Sequence, residues 1–182
     1  RDAGALARMF LASASCPKPV VGRVQGAALG GGAGLVAVCD VAVCAEGTLL
    51  GTTEVRLGIV PAVISPFVVR KVGESHARRW FLTGERFSAP EALRAGLVHA
   101  VVPEAELDAE VDRVVDSLLL GGPEALAVSK DLAKRMGRLP LDEALSEAAG
   151  VIAARRASAE GQEGMKAFLE KRGPSWADRS GS

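Results

Sequence analysis

The chain has 182 residues, 48% of them hydrophobic, which is enough to bury a substantial core and is most simply one domain. Its 22 basic residues balance its 22 acidic ones, so no global field draws it to nucleic acid or to an acidic membrane. No long charge-free apolar run is present to span a membrane, the N-terminus lacks the charged-then-apolar plan of a signal peptide, and Cys16, Cys39 and Cys44 suit buried thiols in a reducing compartment such as the cytoplasm.

In chain order, Arg1 is not an initiator methionine, and Leu6, Met9 and Phe10 already form a helical stripe, so the chain is expected to begin inside an element, as the C-terminal portion of a larger active unit. The run Pro19 to Val24 is apolar and extended. It leads into Gln25 to Gly34, Q-G-A-A-L-G-G-G-A-G, in which five of ten positions are glycine, and then into Leu35 to Val38, which open a buried helix. Glycine without a Cβ lets the backbone take positive φ, approach a ligand and present free amides. The first amides of a helix lack partners within it, and the macrodipole adds positive charge there, so a strand, a glycine turn and a helix can hold an anion or an oxyanion. Three readings compete. Gly32-x-Gly34-x-x-Ala37 with Glu54 about 20 residues on formally matches a dinucleotide fingerprint, hence a hydride-transferring enzyme; small residues let a helix pack tightly on a sheet; or the Gly31 amide stabilises a carbonyl that becomes an enolate.

Val41 to Ala45 reads as a short buried strand with Glu46-Gly47-Thr48 as its turn, and Leu49-Leu50-Gly51 leads to Thr52-Thr53-Glu54. Glu54 is either a carboxylate set in an apolar cleft among Leu57, Ile59 and Val60, or a surface turn residue paired with Arg56. A helix is expected from Glu74, with Ala77, Trp80 and Phe81 as a core stripe and Arg78-Arg79 facing away. Ser88-Ala89-Pro90-Glu91 is a capping box, Gly96 a C-terminal cap, and Leu97 to Val102 a strand. Pro103 opens an amphipathic helix whose apolar face is Leu107, Val111, Val114, Val115 and Leu118, stopped by Gly121-Gly122-Pro123. Two further helices cover roughly 124–136 and 142–159. Residues 1–122 thus mix strands and helices, while 123–182 are helical. His76 and His99 lie far from the cysteines in sequence, so no metal site is expected.

Pro19-Val20-Val21 through Ala28-Leu29-Gly30-Gly31-Gly32, Cys39-Asp40, Thr53 to Pro61, Phe81 to Ala92, Ala95-Gly96-Leu97-Val98 and Gly164 to Arg172 follow one another in an order that resembles the enoyl-CoA hydratase/isomerase (crotonase) superfamily. The resemblance implies an α/β fold, with the C-terminal part of a crotonase-like core of repeated ββα units over 1–122. It also implies a helical trimerisation region over 123–182, in a homotrimer or dimer of trimers; the plainer reading of that tail is a helical cap on the same subunit. The implied substrate is an acyl-CoA thioester, with no cofactor beyond the coenzyme A of the substrate. The implied catalytic groups are the Gly31 amide as oxyanion donor and Glu54 as acid and base. Ala28, Leu29, Gly30, Gly34, Pro61, Phe168 and Lys171 would bind substrate; Lys171-Arg172 would hold a phosphate of coenzyme A or be a solvated charge pair. The expected activity is hydration of a 2-enoyl-CoA, the alternatives being double-bond isomerisation with one glutamate or acyl-CoA binding without turnover. Two departures stand out. Gly34 occupies the place of a second glutamate common in hydratases of this family, and Pro61-Ala62-Val63-Ile64-Ser65-Pro66 replaces a glycine-rich run, which reshapes the acyl pocket, as in the branch that handles branched glutaconyl-type acyl groups.

Overall fold

The computed structural model describes residues 2–177. They divide into two compact units, residues 2–16 with 20–114, and residues 17–19 with 115–177. The first unit opens with helix α1 (Asp2–Ser15) and then passes twice through strand, strand and helix: β1 (Val21–Val24), β2 (Ala27–Leu29) and α2 (Gly31–Val38), then β3 (Val41–Ala45), β4 (Leu49–Gly51) and, after a 3-10 turn at Glu54–Leu57, α3 (Ser65–Thr83). Each strand pairs with its counterpart in the other pass. β1 lies parallel to β3 with Val21 opposite Val41, and β2 lies parallel to β4 with Ala27 opposite Leu49. This is the expected ββα repeat. β5 (Arg86–Ser88) closes the second sheet antiparallel to β4; α4 (Ala89–Arg94) follows, and β6 (Ala100–Val102) adds to β3 in the first sheet. A 3-10 turn at Glu104–Glu106 then leads into α5 (Leu107–Leu119), along which the two units divide.

The core of the first unit gathers Phe10, Val36, Leu50, Val68, Trp80, Phe87 and Leu97. Burying a Phe or Leu side chain contributes about 1.5–3 kcal/mol, so these few positions carry much of the drive to fold. Of the N-terminal stripe only Phe10 enters this core, at 0% exposure against 40% and 41% for Leu6 and Met9. Trp80 and Phe87 stack with ring centroids 3.7 Å apart and planes 8° from parallel, tying the end of α3 to β5. Ser88 makes the predicted capping box with Glu91. α5 sets Leu107, Val111 and Val114 against Val43 and Ala45 of β3.

Three expectations need correction. Helix α3 starts at Ser65 rather than Glu74, with Pro66 in its first turn, and is broken at Gly73 (φ 75°, ψ 166°); the periodic stripe read from 74 is its second segment. The predicted strand from Leu97 shrinks to Ala100–Val102, Leu97 and Val98 being buried in the loop before it. Of the three cysteines, all free, only Cys44 is fully buried.

The second unit is helical. α6 (Pro123–Met136), α7 (Leu141–Ala157) and α8 (Ala159–Leu169) are followed by a 3-10 turn at Ser175–Ala177. α8 extends the helical tail by one element that the periodicity did not predict. The Glu160 carboxylate accepts from the amides of Glu124 and Ala125 at 2.8 Å each, so the open N-terminus of α6 is capped from the start of α8. Arg155 ties Glu160 to Glu124. Leu145, Ile152, Phe168 and Leu169 remain exposed on these helices.

Candidate active site

Because β2 and β4 are parallel neighbours, the turns that leave their C-terminal ends emerge side by side. The turn after β2 is the glycine run and the one after β4 carries Glu54. Gly30 takes φ 53°, ψ −117°, a conformation open to glycine and strained for other residues. Its amide donates to the Gly51 carbonyl at 2.8 Å, which locks the end of the turn to β4. α2 begins at Gly31, and its first bonded amide is that of Gly34, which donates to the Gly30 carbonyl at 3.1 Å. Among the described residues the Gly31, Gly32 and Ala33 amides therefore have no backbone partner, and no side chain caps them. Gly31 is exposed, and a Cβ built on it would meet nothing within 4 Å.

Glu54 faces this turn. A Cβ built on Gly30 would stand 3.2 Å from Glu54 Oε1 and 3.6 Å from its Cδ, so the carboxylate reaches Gly30 because no side chain intervenes. Glu54 Oε2 is buried without a hydrogen-bond donor. An unsatisfied buried acceptor costs about 1–3 kcal/mol, a cost that a site tolerates where a ligand or water supplies the missing proton. Arg56 does not pair with Glu54 in the ion pairs of the described residues, so the solvated-pair reading of this glutamate lacks its partner. Leu57, Ile59 and Val60, which follow it in the chain, are exposed. Free amides at a helix N-terminus beside one carboxylate can stabilise negative charge on an oxygen while moving a proton at a neighbouring atom.

The remaining predicted residues fall in different places. Ala28 is buried in the core, so it can meet a ligand through its backbone alone, whereas Leu29 is half-buried at the end of β2. Pro61 is buried, and its carbonyl accepts from the Ser65 amide at 2.9 Å to start α3. Gly34 sits inside α2, where a Cβ would overlap Ile64 Cγ2 and stand 3.0 Å from Phe10 Cζ; an acidic side chain there has no room. The space that the departures at Gly34 and at Pro61 to Pro66 open and fill is thus one space. Phe168 and Lys171 belong to the second unit. Phe168 is 82% exposed at the end of α8, and Lys171 follows it with φ 54°. Arg172 forks onto Glu163 at 2.7 and 3.0 Å and also reaches Glu170, so of the two basic residues only Lys171 is without a carboxylate among the described ion pairs. That fork and the Ser175 amide hold the Glu163 carboxyl down at about 2. Gly51, whose carbonyl orients the turn, is marked in the sequence only as a glycine ending a strand two residues before a Thr-Glu turn. Among the described residues no three His, Cys, Asp or Glu side chains gather as a metal site, and no helix is long and apolar enough to cross a membrane.

Residues 4–179 match the enoyl-CoA hydratase/isomerase family. The crotonyl-CoA hydratase of Syntrophomonas wolfei is 37% identical over 174 residues, covering 94% of this chain and 67% of its own length. A crystal structure of an enoyl-CoA hydratase from Shewanella pealeana superposes with a TM-score of 0.89 at 40% identity, covering 96% of this chain and 66% of that one. An enoyl-CoA hydratase/isomerase from Marinobacter aquaeolei gives 0.89 at 36%, covering 97% and 67%. The chain therefore spans about two thirds of the length of the proteins it matches.

Proposed function

Because this chain belongs to the enoyl-CoA hydratase/isomerase family, we propose that it processes acyl-CoA thioesters, adding water to a 2-enoyl-CoA. The observation that carries the proposal is the Glu54 carboxylate held against a turn whose amides are unpartnered. In this reading the thioester oxygen takes the Gly31 N–H. Glu54 removes a proton from water as its oxygen bonds to C3, the C2–C3 π electrons move onto the thioester as an enolate, and the proton on Glu54 then passes to C2. Fixed donors at the enolate oxygen act where charge develops, which is where stabilisation lowers the barrier. One carboxylate both takes and returns the proton, so both transfers fall on one face of the acyl chain.

The boxed-in Gly34 favours a second reading. With no room for another acid there, an isomerase that moves one proton between two carbons fits a single Glu54 equally well. Phe168 and Lys171 are proposed to bind substrate, Lys171 at a phosphate of coenzyme A. Leu145 and Ile152, exposed on α7, border a groove of about 570 Å³ that α6 lines with Val128 and Leu132, and Phe168 and Leu169 are exposed on α8; these apolar surfaces support assembly as a trimer or a pair of trimers. The three free thiols are consistent with a cytoplasmic protein. The test is a panel of 2-enoyl- and 3-enoyl-CoA thioesters with the full-length protein, alongside its mass in solution. Hydration of the 2-enoyl members is the expected result; double-bond migration alone selects the isomerase, and tight binding with neither reaction overturns the enzyme reading.

A further inference from the structure

Glu54 is the first residue of a one-turn 3-10 helix, Glu54–Leu57, an element so short that alone it would be a soft mount for an acid–base group. What stiffens it lies at the far end of α3. Gly84 caps that helix at φ 56°, ψ 22°, its amide donating to the Trp80 carbonyl at 2.9 Å. A Cβ built on Gly84 would stand 2.8 Å from Val55 Cγ1 and 3.0 Å from Arg56 Cγ, so the two residues after Glu54 lie directly on the Gly84 backbone. That backbone is itself fixed. Trp80, one turn earlier, is buried in the stack with Phe87; Arg79 pairs with Glu85 at 2.6 Å; and β5 runs back along β4, with Gly51 opposite Arg86. β4 in turn carries the Gly51 carbonyl that holds the Gly30 amide. The carboxylate turn is thus held at its start by β4 and on its flank by Gly84, within a frame that includes the glycine turn.

We propose that Gly84 is a positioning residue for Glu54: its missing side chain sets the depth at which the 3-10 turn seats, and with it the distance between the carboxylate and the glycine turn. The proposal rests on the function proposed above for Glu54. It acts through Val55 and Arg56 and touches no substrate. A methyl group at 84 pushes the turn by the several tenths of an ångström that a contact of 2.8 Å lacks, and Arg56 can swing aside whereas the branched Val55 cannot.

The test uses the full-length protein and a four-carbon 2-enoyl-CoA, with Gly84→Ala, Val55→Ala, the double variant, Val55→Ile and Glu54→Gln. Misplacing a reacting group by about 1 Å can cost ~10²-fold, so Gly84→Ala should lose roughly 10- to 100-fold in kcat with KM held within about threefold. Removing Val55 Cγ1 in the double variant should recover most of that kcat. The thermal midpoint stays low, because left-handed strain at position 84 persists. A cap with a merely structural role would lower the midpoint in both variants and give no recovery. Val55→Ile enlarges the same contact without touching the Gly84 backbone and should also lower kcat, which keeps the test open if Gly84→Ala does not fold. Wild-type kcat in Gly84→Ala, or no recovery in the double variant, overturns the proposal. Full turnover in Glu54→Gln would instead remove the function on which it rests.

Discussion

Replacing Gly31 by proline separates the oxyanion assignment from stability. Gly31 is the first residue of α2, and φ there is not positive. Proline is favoured at that position, because its fixed φ suits the helix and its missing N–H is one that the helix leaves unpaired. The Gly31 amide has no backbone partner among the described residues, so its loss breaks no bond of the fold, and a Cβ there meets nothing within 4 Å. Stiffening the unfolded chain at such a site stabilises by about 0.4–1 kcal/mol. The thermal midpoint should therefore hold or rise slightly. If that N–H holds the enolate oxygen, removing it should cost about 10²–10³-fold in kcat, or roughly 2.7–4 kcal/mol of transition-state stabilisation. Gly31→Ala, which keeps the amide, should lose far less. The assay is steady-state hydration of a 2-enoyl-CoA beside a melting curve. A proline variant that melts like the wild type and turns over like it would refute the assignment and move the oxyanion to Gly32, to Ala33 or off this turn.

Gly34→Ala places a methyl group on Ile64 and Phe10 and should destabilise by about 1–3 kcal/mol, read as a lower urea midpoint; an unchanged midpoint would show that the core there yields. Adding Ile64→Ala, which deletes the clashing Cγ2, should make the loss at 34 smaller. His99 accepts the Ala42 amide on Nδ1 at 2.9 Å, and burial of that edge of the ring, with the Lys71 ammonium nearby, pushes its pKa below the ordinary 6.5. The unfolded chain then binds the proton first, so stability should decline as pH falls below about 6.5, less steeply than for a fully buried ring, and His99→Asn, which keeps an acceptor without titrating, should flatten that slope. An identical slope in the variant would assign it to other groups.

The glycine turn was legible because helix starts and tight turns are written locally, in glycine density after an apolar run. The Ser88 capping box and the face of α5 were legible for the same reason. β2, β4 and β5 have three residues each, too few to show an alternating pattern, and are defined by their partners rather than by themselves. The start of α3 is hidden because Gly73 breaks the periodicity, and the proline-bounded run at 61–66 has the character of pocket lining rather than of the approach to a helix. α8 was missed because Gly161 and Gly164 depress helix propensity. Both are required by packing: a Cβ at 161 would overlap the Arg155 carbonyl, and one at 164 would stand 2.9 Å from Trp176. The seating of Gly34 against Ile64, thirty residues on, is a tertiary fact with no local signature.

Turnover of the full-length Glu54→Gln protein on a 2-enoyl-CoA, measured beside its affinity for a non-reacting CoA thioester, bears most directly on the account. Glutamine keeps the shape beside Gly30 and removes the base, so kcat should fall by about 10²–10⁴-fold while affinity stays within a few-fold of wild type. Unchanged kcat would contradict the account, because the carboxylate that stands against the glycine turn among the described residues would then have no part in the chemistry.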